Sequence, residues 1–219
     1  MQQILSSLFD LGIEYKEVGP KIILLENFIQ KDEADLLWDI IDNASQEDWE
    51  IDYRNSQIKL AQVKYDRDDL DNLIAEGLVE YSDFWSDNAI AIPQGHVATL
   101  SNRIDEIFMQ TQGLYFTGLQ TIHRHYEGSV LVEHVDSHGD PYVQYAVIGY
   151  LNDNYSDGEL VFPNLGIEIK PPKNSILIFP DGELYKHGVK APGVGPIRYS
   201  LPAFLINEEG VLAYRRFLE

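Results

Sequence analysis

The sequence predicts an α+β, β-dominated fold, a jelly roll braced by helices near its N-terminal end. Three observations carry this reading. From Leu119 onward, short β-type segments alternate with turn signals; two helical stripes precede them; and neither a low-complexity linker nor an internal repeat divides the chain. At 219 residues the chain can bury a full core without disulfides. It reads as a single domain over 1–219, in which residues 1–115 supply a strand and supporting helices and 116–219 the β core. Pattern alone leaves a Greek-key sandwich open as the alternative.

The elements follow in order. Lys21 to Glu26 is a short apolar run and predicts a strand. Lys31 to Asn43 places Ala34, Leu37, Ile40 and Ile41 on one helical face, with Asp32 and Glu33 in the first turn where the helix dipole favours acids. Residues 50–71 are polar around Ile58–Val63 and predict a strand between loops. Val97 to Met109 repeats the helical stripe with Leu100, Ile104, Ile107 and Phe108. The predicted β segments are 119–126, 130–136, 143–151, 159–162, 166–170, 175–180, 185–190, 197–206 and 211–217. Ser156-Asp157-Gly158, Asn164-Leu165-Gly166, Pro171-Pro172-Lys173-Asn174 and Glu208-Glu209-Gly210 supply the turns.

Composition narrows the function. Lys and Arg number 16 against 36 Asp and Glu, a formal charge of −20. Such a surface repels phosphate backbones and anionic headgroups, so neither nucleic acid nor membrane is expected as a partner. There is no cysteine, which removes thiol nucleophiles and Cys-based metal sites. No apolar run approaches a membrane span, and Met1-Gln2-Gln3-Ile4-Leu5 lacks a signal-peptide pattern. A soluble, cytoplasmic protein is expected.

The six histidines concentrate in the β half. In His134-Val135-Asp136, residues i and i+2 of a strand share one face, so an imidazole and a carboxylate can grip one metal. His187 follows the strand Ser175–Pro180, and Arg198-Tyr199-Ser200 comes eleven residues later. Two histidines and one carboxylate make the facial triad of non-haem Fe(II) oxygenases. Zinc remains an alternative, although its two-His-one-acid catalytic sites use other spacings and a nearby general base. Arg198 and Ser200 share a strand face, so a guanidinium and a hydroxyl can meet a distal carboxylate together.

The order of these motifs resembles that of the 2-oxoglutarate- and Fe(II)-dependent dioxygenases, prolyl 4-hydroxylase-like branch, from about Lys21 to Asn207. The matching parts are Ile22–Phe28, Tyr126-Glu127-Gly128, His134-Val135-Asp136, Tyr150-Leu151-Asn152, Asp157–Pro163, Ile176–Pro180 with His187, and Arg198-Tyr199-Ser200. The resemblance implies a double-stranded β-helix with Fe(II) on His134, Asp136 and His187. It implies 2-oxoglutarate and O2 as cosubstrates, with ascorbate a candidate auxiliary reductant. Arg198 is then the partner of the C5 carboxylate, the Tyr150 hydroxyl a second donor, and Tyr126 a residue at the pocket edge.

The resemblance has departures. Collagen-type relatives often carry Lys where Arg198 stands, which points toward the intracellular, sensor-like or bacterial enzymes. The Tyr126–His134 segment is about two residues shorter than is usual, and Phe204 stands where many relatives have Trp. The expected activity is hydroxylation of a prolyl residue in a peptide or protein, with a free amino acid or small metabolite as the alternative substrate. A catalytically silent β-helix module is the alternative of a different class. His123 and His125 are read as structural and His138 as a solvated loop residue. Because an analogous loop of relatives folds over bound peptide, the resemblance makes residues 50–70 a candidate lid. Trp38 is read as core, and Trp49 and Trp85 as lid or core edge.

Overall fold

In the computed structural model, residues 1–45, 47–49, 89–109, 111, 113–129 and 131–218 are described. The predicted strand and lid within 50–71, and Trp85, lie outside them. Helices are α1 (Gln2–Asp10), α2 (Lys31–Asn43), α3 (Ala98–Phe108), α4 (Asp136–Gly139) and α5 (Glu208–Leu218). Strands are β1 (Lys16–Gly19), β2 (Ile22–Leu25), β3 (Ala89–Ala91), β4 (Tyr115–Phe116), β5 (Thr121–His125), β6 (Leu131–His134) and β7 (Val143–Tyr150). They continue with β8 (Leu160–Phe162), β9 (Ile167–Ile169), β10 (Ser175–Pro180), β11 (His187–Val189) and β12 (Arg198–Ile206).

Among the described residues the strands form two antiparallel sheets. The major sheet runs β1-β2-β10-β7-β12-β5-β3, with β4 on β12; the minor sheet runs β6-β11-β8-β9. This is the double-stranded β-helix expected from the sequence. Strand alternation divides the core into two layers. Ile176 and Ile178 of β10, Val147 of β7 and Leu201, Ala203 and Leu205 of β12 pack with α1, α2 and α3. Leu177 and Phe179 of β10 and Ala146 and Tyr150 of β7 face the other way, against Leu160, Phe162 and Val189 of the minor sheet. A strand covered on both faces needs a continuous apolar run rather than alternation, which explains Ser175-Ile-Leu-Ile-Phe-Pro180.

The helices brace the outer face of the major sheet. The α2 stripe buries Ala34, Leu37 and Ile41, with Ile40 only partly covered; the α3 stripe buries Leu100, Ile104, Ile107 and Phe108. Glu33 accepts the Gln30 N–H at 2.9 Å, capping α2, and its carboxylate takes the Arg103 guanidinium of α3 at 2.6 Å. Arg103 also donates to the Phe28 carbonyl. One acid thereby caps one helix and ties it to another.

Two expectations are corrected. Residues 211–217 belong to helix α5 rather than a strand. The Asn207 carboxamide accepts the Gly210 N–H at 2.9 Å, and Glu208 and Glu209 occupy the first turn, so the supposed turn signal is a helix start. The predicted element order also lacked α1, whose Ile4 and Leu8 are fully buried, and the short strands β1, β3 and β4. No helix of the described residues is long and apolar enough to cross a membrane.

Candidate active site

The site lies between the sheets. Strand β6 pairs with β11 so that His134 stands directly opposite His187, and their rings lie 4.5 Å apart. Gly188 permits this approach. A Cβ there would come within 2.8 Å of the Leu131 carbonyl oxygen and 3.1 Å of the Glu133 nitrogen, so any side chain would push β11 off β6. Asp136 is the first residue of the α4 turn rather than a strand residue, yet Val135 is extended (φ −115°, ψ 124°), so the i, i+2 alternation persists. Asp181 accepts the Ser137 N–H at 3.2 Å and fixes that turn.

One ligand atom from each of His134, Asp136 and His187 lies within 4.8 Å of the others. The Nε2 atoms of His134 and His187 are 3.3 and 3.8 Å from the two Asp136 oxygens. Two imidazole nitrogens and a carboxylate oxygen converging this closely form a donor set that one divalent transition-metal ion could share. The tautomers suit ligation. His134 Nδ1 is 2.9 Å from the Val132 carbonyl and His187 Nδ1 is 3.1 Å from that of Tyr185. A carbonyl only accepts, so both Nδ1 atoms carry the proton and both Nε2 lone pairs turn inward. Asp136 Oδ2 is buried with no hydrogen-bond partner, as an atom reserved for a cation would be.

The electrostatics agree. Burial works against charging His134, but the Asp136 carboxylate outweighs it and raises its pKa. Burial would push Asp136 upward, but His187 and His134 hold it below the usual carboxylate range. His187 is shifted downward by burial, against the pull of Asp136. Phe179, edge-on at 4.8 Å, and Phe162 at 5.9 Å form the dry wall behind it.

The second half of the site is on the major sheet. The ladder sets Arg198 of β12 opposite His125 of β5, and Ser200 between His123 of β5 and Tyr150 of β7. Arg198 is only 2% exposed. Its Nη1 donates to His125 Nδ1 at 3.1 Å and lies 3.3 Å from Ser200 Oγ; its Nε has no partner. The Tyr150 and Tyr155 rings flank the guanidinium, at 5.2 and 5.9 Å from their centroids, and both hydroxyls are buried and unpaired. Burial raises the Tyr150 pKa, so the phenol stays a donor. Among the described residues no carboxylate reaches Arg198. A buried cation with unpaired donors around it fits a ligand carboxylate.

The site residues named from sequence thus fall into two groups, His134, Asp136 and His187 on one side and Arg198, Ser200 and Tyr150 on the other. Tyr126 follows β5 and is 46% exposed. His138 is exposed beside Glu183, at 3.5 Å. Trp38 packs edge-on against Tyr199, and buried Trp49 lies under Arg124, a core-edge position. His123 and His125 do not join the His134 cluster, but they share the inner face with Arg198, which sequence reading undervalued. The signal was available, since His-x-His and Arg-x-Ser on paired strands must each present both residues to one side. Tyr155, Asp181 and the Asn152 carboxamide were also missed. Asn152 Oδ1 accepts the Tyr199 N–H at 2.9 Å and its Nδ2 donates to the Ile197 carbonyl at 2.7 Å, fixing the strand that carries Arg198.

Comparison with known proteins bears on this geometry. Residues 120–206 match the family model of the 2OG-Fe(II) oxygenase superfamily. No curated protein sequence matches the chain. Among solved structures, a prolyl-4-hydroxylase from Pseudomonas putida superimposes with a TM-score of 0.56 at 16% identity, covering 94% of this chain and 99% of its own. The viral collagen prolyl hydroxylase of Paramecium Bursaria Chlorella virus-1, in a 2OG complex, gives 0.55 at 15% identity, with 85% and 96% covered. A prolyl hydroxylase from Trichoplax adhaerens, bound to a hypoxia inducible factor oxygen degradation domain peptide, gives 0.56 at 13%, with 95% and 92% covered.

Proposed function

We propose that this chain, a 2-oxoglutarate- and Fe(II)-dependent dioxygenase of prolyl 4-hydroxylase-like architecture, hydroxylates a prolyl residue within a peptide or protein. One oxygen atom of O2 enters the C–H bond as a hydroxyl; the other enters succinate as 2-oxoglutarate loses carbon dioxide. The observation that carries the reading is the presence of two complementary half-sites, an anionic three-ligand cluster and a buried cation that no carboxylate among the described residues reaches.

His134, Asp136 and His187 would hold Fe(II). Bound Fe(II) supplies the redox activation of dioxygen that the side chains cannot. Arg198 would pair with the distal carboxylate of 2-oxoglutarate, with the Tyr150 hydroxyl as second donor and Ser200 beside it. The Tyr155 hydroxyl, also buried and with its ring beside Arg198, is a further donor. Fixing the cosubstrate at its far end determines where its 2-oxo acid end lies. Phe162 and Phe179 keep water from the His187 side.

Three considerations support the prolyl substrate. Three of the solved structures that the chain resembles are prolyl hydroxylases, one of them with a peptide bound. The motif order follows that branch. The charge of −20 favours a basic or proline-rich segment over an acidic one. Iron-loaded protein incubated with 2-oxoglutarate and proline-rich peptides is expected to add one oxygen mass to a proline. Succinate formation stimulated by amino acids or other metabolites but by no peptide would overturn the peptidyl reading.

A further inference from the structure

Among the described residues, the part-buried Arg103 and the buried Arg198 stand in opposite electrostatic settings. Arg103 is discharged by Glu33 at 2.6 Å, the usual arrangement for a cation that only ties elements together. Arg198 is more deeply buried and has neutral acceptors instead, His125 Nδ1 at 3.1 Å and Ser200 Oγ at 3.3 Å. A guanidinium has no lone pair to offer, so His125 Nδ1 must accept and its proton must sit on Nε2. The imidazole is therefore neutral, and both burial and the Arg198 charge disfavour its protonation. The contact is built into the sheet, because β5 and β12 set His125 and Arg198 directly opposite one another.

We propose that His125 is a positioning residue for cosubstrate binding, a neutral acceptor that aims the Arg198 guanidinium without discharging it. This rests on the reading of Arg198 as the partner of the distal carboxylate. An aspartate at position 125 would orient Arg198 equally well but would neutralise it, and a dianionic ligand would then meet no net charge. An apolar residue would leave the charge but lose the aim. Neutral acceptor character distinguishes His125 from both.

The test measures ligand binding rather than turnover. Full-length protein loaded with Mn(II) is titrated calorimetrically with 2-oxoglutarate and with 2-oxobutyrate, which keeps the 2-oxo acid and lacks the distal carboxylate. Wild type is expected to prefer 2-oxoglutarate by at least about tenfold. His125→Asn, which keeps a neutral acceptor, should bind 2-oxoglutarate within about threefold of wild type; His125→Asp and His125→Leu should lose about tenfold or more. Binding of 2-oxobutyrate should be the same in all folded variants, with folding checked by thermal melts. His125→Asp binding 2-oxoglutarate as tightly as wild type, or parallel losses for both ligands, would overturn the proposal. A wild type that binds the two ligands equally would instead overturn the Arg198 assignment itself.

Discussion

His187 faces His134 directly across the β6–β11 ladder, and both rings direct Nε2 toward the Asp136 carboxylate. The approach depends on the missing side chain of Gly188, which sits over the Leu131 carbonyl. Geometry that could bind a metal is therefore set by backbone proximity as well as by ligand identity.

Gly188→Ala tests that dependence. The added methyl meets backbone rather than a flexible side chain, so β11 must move and the cost is about 1–3 kcal/mol. Metal affinity is expected to fall at least about tenfold, read by calorimetry with Mn(II), and the melting temperature should drop by several degrees. Unchanged affinity would mean that the ladder does not set the ligand spacing.

Arg198→Met separates function from stability. Removing the guanidinium should raise the apparent KM for 2-oxoglutarate by about 30-fold or more, since a desolvated carboxylate loses about 2–5 kcal/mol when its partner goes. The ligand-free protein should hold or gain thermal stability, because a buried charge that only neutral groups meet among the described residues is costly. Arg198→Lys should fall between, since an ammonium supplies charge without the planar fork.

Acid should destabilise the protein partly through His123. Burial, then the Arg198 charge, pulls its pKa down to about 4 from the ordinary 6.5. The unfolded chain thus binds the proton first as pH falls, so this share of stability is complete above pH 6.5 and declines as pH falls toward 4. His125 acts in the same direction. His123→Gln should flatten the fall in melting temperature over that window by a few degrees; an identical pH profile in the variant would contradict the assignment.

The sequence revealed the architecture where periodicity was strong. The α2 and α3 stripes, the buried run of β10 and the alternating β12 all lie where their patterns place them. The reading failed where a short apolar run is ambiguous. Val211-Leu212-Ala213 fits strand or helix, and only the Asn207 cap decides it. The candidate site was named from residue types and spacing, and the fold brings His134, Asp136 and His187 together and buries Arg198 beside Ser200 and Tyr150. Its supporting groups were not. Asn152, Asp181, Tyr155 and Gly188 act through contacts between segments distant in the chain, which the fold creates and local sequence does not encode.

The most direct test is anaerobic Fe(II) titration of wild type and Asp136→Ala in the presence of 2-oxoglutarate. Binding is followed by the charge-transfer absorption that a 2-oxo acid gives when it chelates ferrous iron. Wild type should take up one iron per chain and develop the band, and Asp136→Ala should lose both while keeping its fold. Full iron uptake with an undiminished band in Asp136→Ala would contradict the three-ligand centre.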